Sequence, residues 1–114
     1  MRYEEVDMDG PFLTTDVHHN VEIGYIGVYV LSRDGQNVDY VGRSDSNVRA
    51  RLHKSIREGR GYQVFWFSYE SSARQAYRKE CYLWHKYNPP DNSAHPKVPD
   101  YANWKCPIEG CPWD

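Results

Sequence analysis

The segment from Gly27 to Gly42, GVYVLSRDGQNVDYVG, constrains the fold of this chain more than any other stretch. Two short apolar runs flank Asp34-Gly35, a dipeptide whose readiness to take positive φ angles favours a tight hairpin turn. Val28, Val30 and Leu31 before it, and Val38 and Val41 after it, supply the bulk of two adjacent antiparallel strands within residues 25 to 44. Each run carries one tyrosine, Tyr29 and Tyr40. Side chains alternate between faces along a strand, so the pairing register decides whether the two hydroxyls share a side. The sequence leaves that register open.

After the hairpin, Ser46 or Asn47 offers a side-chain oxygen to cap a helix, and Val48, Leu52 and Ile56 recur at four-residue spacing as its apolar stripe. Gly59 and Gly61 end it. Arg51 sits at the edge of the stripe, placed to reach from the core boundary into a cleft beside the hairpin, with Ser55 one turn further on. Arg49, His53 and Arg57 lie on more exposed faces. Residues 62 to 69, YQVFWFSY, read as a third strand, central because both faces are bulky. Ser72 with Gln75 has the form of a capping box for a second helix. Its buried face runs through Ala73, Ala76, Tyr77, Glu80, Leu83, Trp84 and Tyr87, and it stops at Asn88-Pro89-Pro90. Glu80 is the exception on that face: a carboxylate among apolar groups requires a partner, and Arg43, Arg51 or a metal ion are the candidates.

These readings predict a single α+β domain, an α/β sandwich in which a small, mainly antiparallel three-stranded sheet is flanked by helices in the order β-β-α-β-α. A chain of 114 residues is long enough for one core. Leucine occurs only at positions 13, 31, 52 and 83, so aromatic side chains must fill much of it. Residues 1–24 read as a loose lead-in with a short strand near Phe12 and Leu13, residues 25–93 as the domain proper, and residues 94–114 as an irregular tail anchored by Tyr101 and Trp104. His18 and His19 are adjacent, would point apart in regular structure, and make a poor metal pair.

The formal net charge of −2 argues against a general nucleic-acid binder. Its distribution argues the other way. Arg43, Arg49, Arg51, Lys54, Arg57 and Arg60 face only Asp45 and Glu58 within residues 43–60, while the first 22 residues are acidic. A basic middle between acidic ends suits either a phosphate-holding face or a pair of solvated helices. No apolar run reaches the length of a membrane span, and the acidic N-terminus lacks the apolar region of a secretory signal, so a cytoplasmic location is expected. Cys106 and Cys111 have C-x4-C spacing, which fits one half of a zinc site, a pair of reduced thiols or a disulfide. For zinc, His95, Cys81 or an N-terminal histidine would have to complete the set.

Gly27-Val28-Tyr29 followed by Tyr40-Val41-Gly42 resembles the paired motifs of the GIY-YIG nucleases, with Val where Ile is usual. The resemblance continues downstream. Arg51 matches the arginine on the helix after the second motif, Glu80 the metal-ligating glutamate on the helix after the third strand, and Asn92 the asparagine that braces the site behind a proline, with Asn88 as the second choice. It covers about residues 25 to 93. The His or Tyr that many members carry one turn after the arginine is Ser55 here, and His53 lies on another side of the helix.

The resemblance implies an endonuclease that hydrolyses DNA, or RNA, with one divalent cation, Mg²⁺ or Mn²⁺, on Glu80. Arg51 would then contact the phosphate, Tyr29 or Tyr40 would activate water, and Asn92 would brace the site; Gly42, Arg43, Arg49, His53 and Lys54 are the candidate substrate contacts. A homodimer or a protein partner would supply targeting. Two other readings compete: a non-cleaving nucleic-acid-binding or assembly module with the same fold, and a small interaction protein in which zinc on Cys106 and Cys111 carries the function.

Overall fold

In the computed structural model, which describes residues 8–92 and 94–112, the chain forms a four-stranded antiparallel sheet with helices on both faces. The elements are β1 (Asp9–Leu13), a 3-10 turn (Thr14–Asp16), α1 (Val17–Asn20), β2 (Gly27–Ser32), β3 (Tyr40–Ser44), α2 (Val48–Arg57), β4 (Val64–Tyr69) and α3 (Ala73–Tyr87). Across the sheet the strands run β1-β4-β2-β3, so β4 is interior and β3 is an edge.

The sheet therefore has four strands where the sequence predicts three. The addition is β1, the short strand expected near Phe12 and Leu13, which joins the sheet by pairing antiparallel with β4 through Phe12 opposite Phe65 and Leu13 opposite Val64. Within β1 there is no alternation because only Phe12 is turned inward, packing on Phe65 and Phe67 at ring distances of 5.6 and 5.9 Å. The strand is held by its neighbour's backbone rather than by an apolar face of its own.

The hairpin forms with a longer connection than a two-residue turn. Residues 33–39 join β2 to β3. Gly35 takes φ +78°, while the Asp34 carboxylate accepts from the amides of Gln36 and Asn37, both at 2.8 Å. A short polar side chain that satisfies the following amides stabilises an open loop as readily as a tight turn.

Register settles the question of the tyrosines. Tyr29 faces Gly42 and Leu31 faces Tyr40, which puts both phenols on one side of the sheet, stacked with centroids 6.1 Å apart. That side is covered by α1 and α2 through Val17, Val21, Val48 and Leu52; the other is covered by α3 through Ala76, Leu83 and Tyr87 packed on Val28, Val30, Val41 and Trp66. The helices start where capping chemistry puts them: the Asn47 side chain accepts from the Ala50 amide, and that of Ser72 from the Gln75 amide. The tail packs on α3 through Val98, Trp104, Cys106 and Ile108 against Tyr77 and Cys81. Trp104 is the anchor there, whereas Tyr101 is 78 % exposed and only touches the Trp104 ring edge. No helix among the described residues is long and apolar enough to cross a membrane.

Candidate active site and metal cluster

A cleft of about 770 Å³ runs over the edge of the sheet at β3. Gly42 is the residue at which this edge is thin, and the reason lies behind it: a Cβ at position 42 would fall on the Tyr29 phenol. Because residues 40 and 42 face α2 while 41 and 43 face α3, the cleft collects side chains from both layers. Tyr40 and Arg51 line it from the α2 side, Arg43 and Glu80 from the α3 side, and Lys97, Val98, Pro99 and Asp100 of the tail form the opposite wall. Five cationic side chains, Arg43, Arg51, Lys54, Arg57 and Lys97, meet three carboxylates, Asp45, Glu80 and Asp100.

Glu80 is buried at 8 % exposure, and its Oε1 accepts from Arg43 Nη1 at 2.6 Å. Burial raises its pKa above the ordinary carboxylate value, and Arg43 only partly offsets this. Arg43 is fully engaged. Its Nε donates to Asp45 at 2.9 Å, its Nη2 to the Lys97 carbonyl at 2.6 Å, and its guanidinium lies over the Tyr77 ring at 5.2 Å. Burial disfavours its charge, but Glu80 and Asp45 together hold its pKa above the usual value. Arg43 is thus a brace between sheet, helix and tail, and the exposed Arg51, Lys54, Arg57 and Lys97 are the cations turned to solvent.

The two tyrosines have different environments. Tyr29 is fully buried, and its hydroxyl shares a 2.7 Å hydrogen bond with Ser55, the residue at the position where the resembling family often carries His or Tyr. Burial pushes its pKa well above that of a free phenol, and Tyr40 adds to the shift. Tyr40 is half-buried and reaches the cleft. Burial and then the Glu80 charge raise its pKa as well.

Asn92 lies outside the cleft lining and acts on the backbone of β3. Its Nδ2 donates to the Val41 carbonyl at 2.8 Å and its Oδ1 accepts from the Val41 amide at 3.3 Å, so a side chain serves as one more rung beyond the sheet edge. The Trp84 indole fixes it from the other side by donating to the Asn92 carbonyl at 2.8 Å. Arg49 and His53 are not brought to the cleft. Arg49 lines a separate depression of about 240 Å³ with His18 and His19, whose rings lie 4.0 Å apart instead of diverging. Burial, reinforced by the charges of Arg49, Arg57 and His18, lowers the His53 pKa.

A second cluster lies at the far end of α3. One ligand atom each from His85, His95, Cys106 and Cys111 falls within 4.8 Å of the other three, an arrangement able to hold a metal ion. Cys106 and Cys111 are the pair singled out by spacing, and His95 was a candidate to complete them. His85 was not. It sits in the last turn of α3 beside Trp84, where a histidine reads as an ordinary C-terminal cation. Its one signal in the sequence is proximity to the Pro89-Pro90 break, which returns the chain so that His95 comes back to it. Cys81, another candidate, packs near Cys106 and is not in the set, and neither is the N-terminal histidine His18 or His19.

In comparisons with protein-family models, curated proteins and solved structures, nothing matches this chain.

Proposed function

We propose that the cleft at the β3 edge is the active site of a divalent-cation-dependent endonuclease of the GIY-YIG kind, acting on DNA. The observation that carries this reading is that Tyr40, Gly42, Arg51 and Glu80, from one strand and two helices on opposite faces, line one basic cleft. Glu80 suits a hard cation because it is a buried carboxylate at the cleft wall with one oxygen already fixed by Arg43, leaving the second as the ligand. When bound, Mg²⁺ or Mn²⁺ supplies charge neutralisation to the phosphoryl oxygens and to the departing 3′ oxygen.

The protein's own groups divide the remaining work. The Arg51 guanidinium forks onto a non-bridging phosphate oxygen, with Lys54 and Arg57 flanking the backbone on the same helix. Tyr40 orients the attacking water and, from its phenolate form, accepts its proton, since Tyr29 is sealed from solvent and tied to Ser55. Tyr29 acts through Tyr40 by ring stacking, and Gly42 leaves the space that its phenol fills. Contacts of this kind read the phosphate backbone, so binding is salt-dependent and carries little sequence information. At the second cluster, two thiolates and two imidazoles favour Zn²⁺ over Mg²⁺.

The 2.6 Å Arg43–Glu80 pair favours a second reading, in which the guanidinium permanently occupies the place of the cation and the domain binds nucleic acid without cutting it. A nicking assay on supercoiled plasmid separates the two. Nicking that requires Mg²⁺ or Mn²⁺ and is lost in both Arg51→Ala and Glu80→Gln supports the nuclease. DNA affinity with no nicking under either metal supports the second reading and overturns the first.

A further inference from the structure

We infer that His85, His95, Cys106 and Cys111 form a structural Zn²⁺ site that clamps the tail to α3 and thereby fixes the outer wall of the cleft. The first observation is convergence. Four ligand atoms from three separate stretches, the last turn of a helix, the returning loop and the C-terminal segment, come within 4.8 Å of one another. A tetrahedral ion with Zn–S of about 2.3 Å and Zn–N of about 2.0 Å sets ligand atoms about 3.5 Å apart. The Cys111 Sγ to His95 Nε2 separation is already 3.5 Å. No separation in the set exceeds 4.8 Å, so the ligand atoms need close in by no more than about 1.3 Å to reach that spacing.

The second observation fixes a tautomer. His95 Nδ1 lies 2.8 Å from the Pro96 carbonyl. A carbonyl can only accept, so Nδ1 carries the proton and Nε2 presents its lone pair towards Cys111. A backbone carbonyl orienting the non-ligating nitrogen in this way is the outer-shell support that metal-bound histidines use. Trp84 completes the frame, with its ring edge-on to His85 at 5.0 Å and to His95 at 5.3 Å, while its indole nitrogen pins Asn92.

The third observation is what a clamp would hold. Residues 94–112 contain no helix or strand among those described, and their apolar contact with α3 is a small cluster around Tyr77, Cys81 and Cys106. A segment so poorly supplied with core needs a staple. Within it, between the ligands His95 and Cys106, lie Lys97 to Asp100, the cleft wall, and the Lys97 carbonyl that accepts from Arg43. Metal loading is thereby tied to the Arg43–Glu80 brace. This site stands on its own residues and does not depend on the nuclease reading.

The test uses the full chain and no nuclease assay. Protein purified from zinc-supplemented cells is analysed for metal, then stripped with a chelator and titrated with Zn²⁺ or with Co²⁺ as a spectroscopic probe. We expect one equivalent of zinc per chain, and for Co²⁺ the thiolate charge-transfer and tetrahedral d–d bands of a two-sulfur site. Both signals vanish in Cys106→Ser/Cys111→Ser and in His85→Asn/His95→Asn, whereas Cys81→Ser keeps them. Trypsin provides the second readout: in the stripped protein, cleavage after Lys97 and Lys105 accelerates at least about tenfold, and Zn²⁺ restores protection. Substoichiometric metal with no Co²⁺ thiolate band overturns the site. Stoichiometric zinc without tryptic protection overturns the clamp.

Discussion

Arg43 Nη1 donates to Glu80 Oε1 at 2.6 Å, joining the edge strand to the middle of the long helix, and both side chains are little exposed, at 12 % and 11 %. A pair so placed gains little net stability over apolar residues of the same shape, because burial cost and attraction nearly cancel, but breaking it leaves a charge without compensation. Arg43→Met should therefore destabilise the fold by about 3–5 kcal/mol at neutral pH. The pH dependence has a definite sign. Burial raises the folded Glu80 pKa above the ordinary value of 4.5, so the group favours folding most when protonated and loses that contribution as pH rises through the folded value. Removing Arg43 raises it further. The penalty of Arg43→Met, measured by denaturant titration, should accordingly shrink as pH falls through the raised Glu80 pKa; a penalty constant with pH would mean that Glu80 is not buried as a charge.

Gly42 and Tyr29 form a second dependent pair, with the phenol filling the space that a Cβ would need. Gly42→Ala should cost about 1–3 kcal/mol by overpacking. Shortening the phenol relieves the clash, so Gly42→Ala combined with Tyr29→Leu should be less destabilised than the two single effects added. Thermal unfolding of the four proteins measures the coupling. Strict additivity would show that Gly42 is required for its backbone alone.

Much of this arrangement is legible in the sequence, and the illegible parts have identifiable causes. The helix starts at Asn47 and Ser72 and the apolar stripes below them are local: caps and periodicity act within a few residues. The cost of burying a carboxylate narrows the partner of Glu80 to Arg43, Arg51 or a metal ion, and pairing register brings Arg43 to it by turning that side chain towards α3. What the sequence misses depends on non-local geometry. The short strand near Phe12 and Leu13 is legible but its place in the sheet is not, because β1 has one inward side chain and is recruited by a neighbour's backbone. Arg49 and His53 look equivalent to Arg51 by charge, yet helix rotation sends them to the α1 side. His85 becomes a ligand candidate only because the Pro89-Pro90 break folds the chain back on the helix end. Arg57 is missed as a cleft residue because the cleft follows the Arg51–Lys54 face of α2 into the last turn of the helix.

The rotation of α2 makes a direct prediction about nucleic-acid binding. Arg51, Lys54 and Arg57 line the cleft, whereas Arg49 opens to another depression. Each of Arg51→Ala, Lys54→Ala and Arg57→Ala should weaken DNA binding and reduce the slope of log K against log salt by about one. Arg49→Ala and His53→Ala should change neither by more than a small fraction of that. Fluorescence anisotropy across a salt series checks this, and equal effects from all five would indicate diffuse attraction rather than a cleft.

The nuclease reading predicts a pH profile governed by Tyr40. Burial and the Glu80 charge hold its pKa above the ordinary 10.0, so at neutral pH nearly every molecule carries the protonated phenol. If the deprotonated oxygen accepts the proton of water, the nicking rate at saturating Mg²⁺ should climb about tenfold per pH unit through the neutral and mildly alkaline range. Tyr40→Phe should abolish the activity along with that slope. Tyr29→Phe, which removes a buried hydrogen bond to Ser55 but keeps the ring that stacks on Tyr40, should lower stability by about 1 kcal/mol and leave the slope intact. A steep profile retained in Tyr40→Phe would transfer the role to another group.

Asn92 offers the sharpest separation of bracing from chemistry. Its amide contributes both a donor and an acceptor to the backbone of Val41, one residue from Gly42 and two from Arg43. Asn92→Asp keeps the shape and the acceptor but replaces the donor by an oxygen facing the Val41 carbonyl, so it should be worse than Asn92→Ala; the loss expected for Ala is about 1–3 kcal/mol. Since Asn92 is held by Trp84 Nε1 through its own carbonyl, Trp84→Phe should loosen the same rung from behind and cost less. Amide hydrogen exchange at Val41 and Gly42 is the direct measurement, and it should quicken in the order Trp84→Phe, Asn92→Ala, Asn92→Asp. Unchanged protection at Val41 in all three would show that the β3 edge is held by the remaining contacts, Arg43 with Glu80 foremost among them.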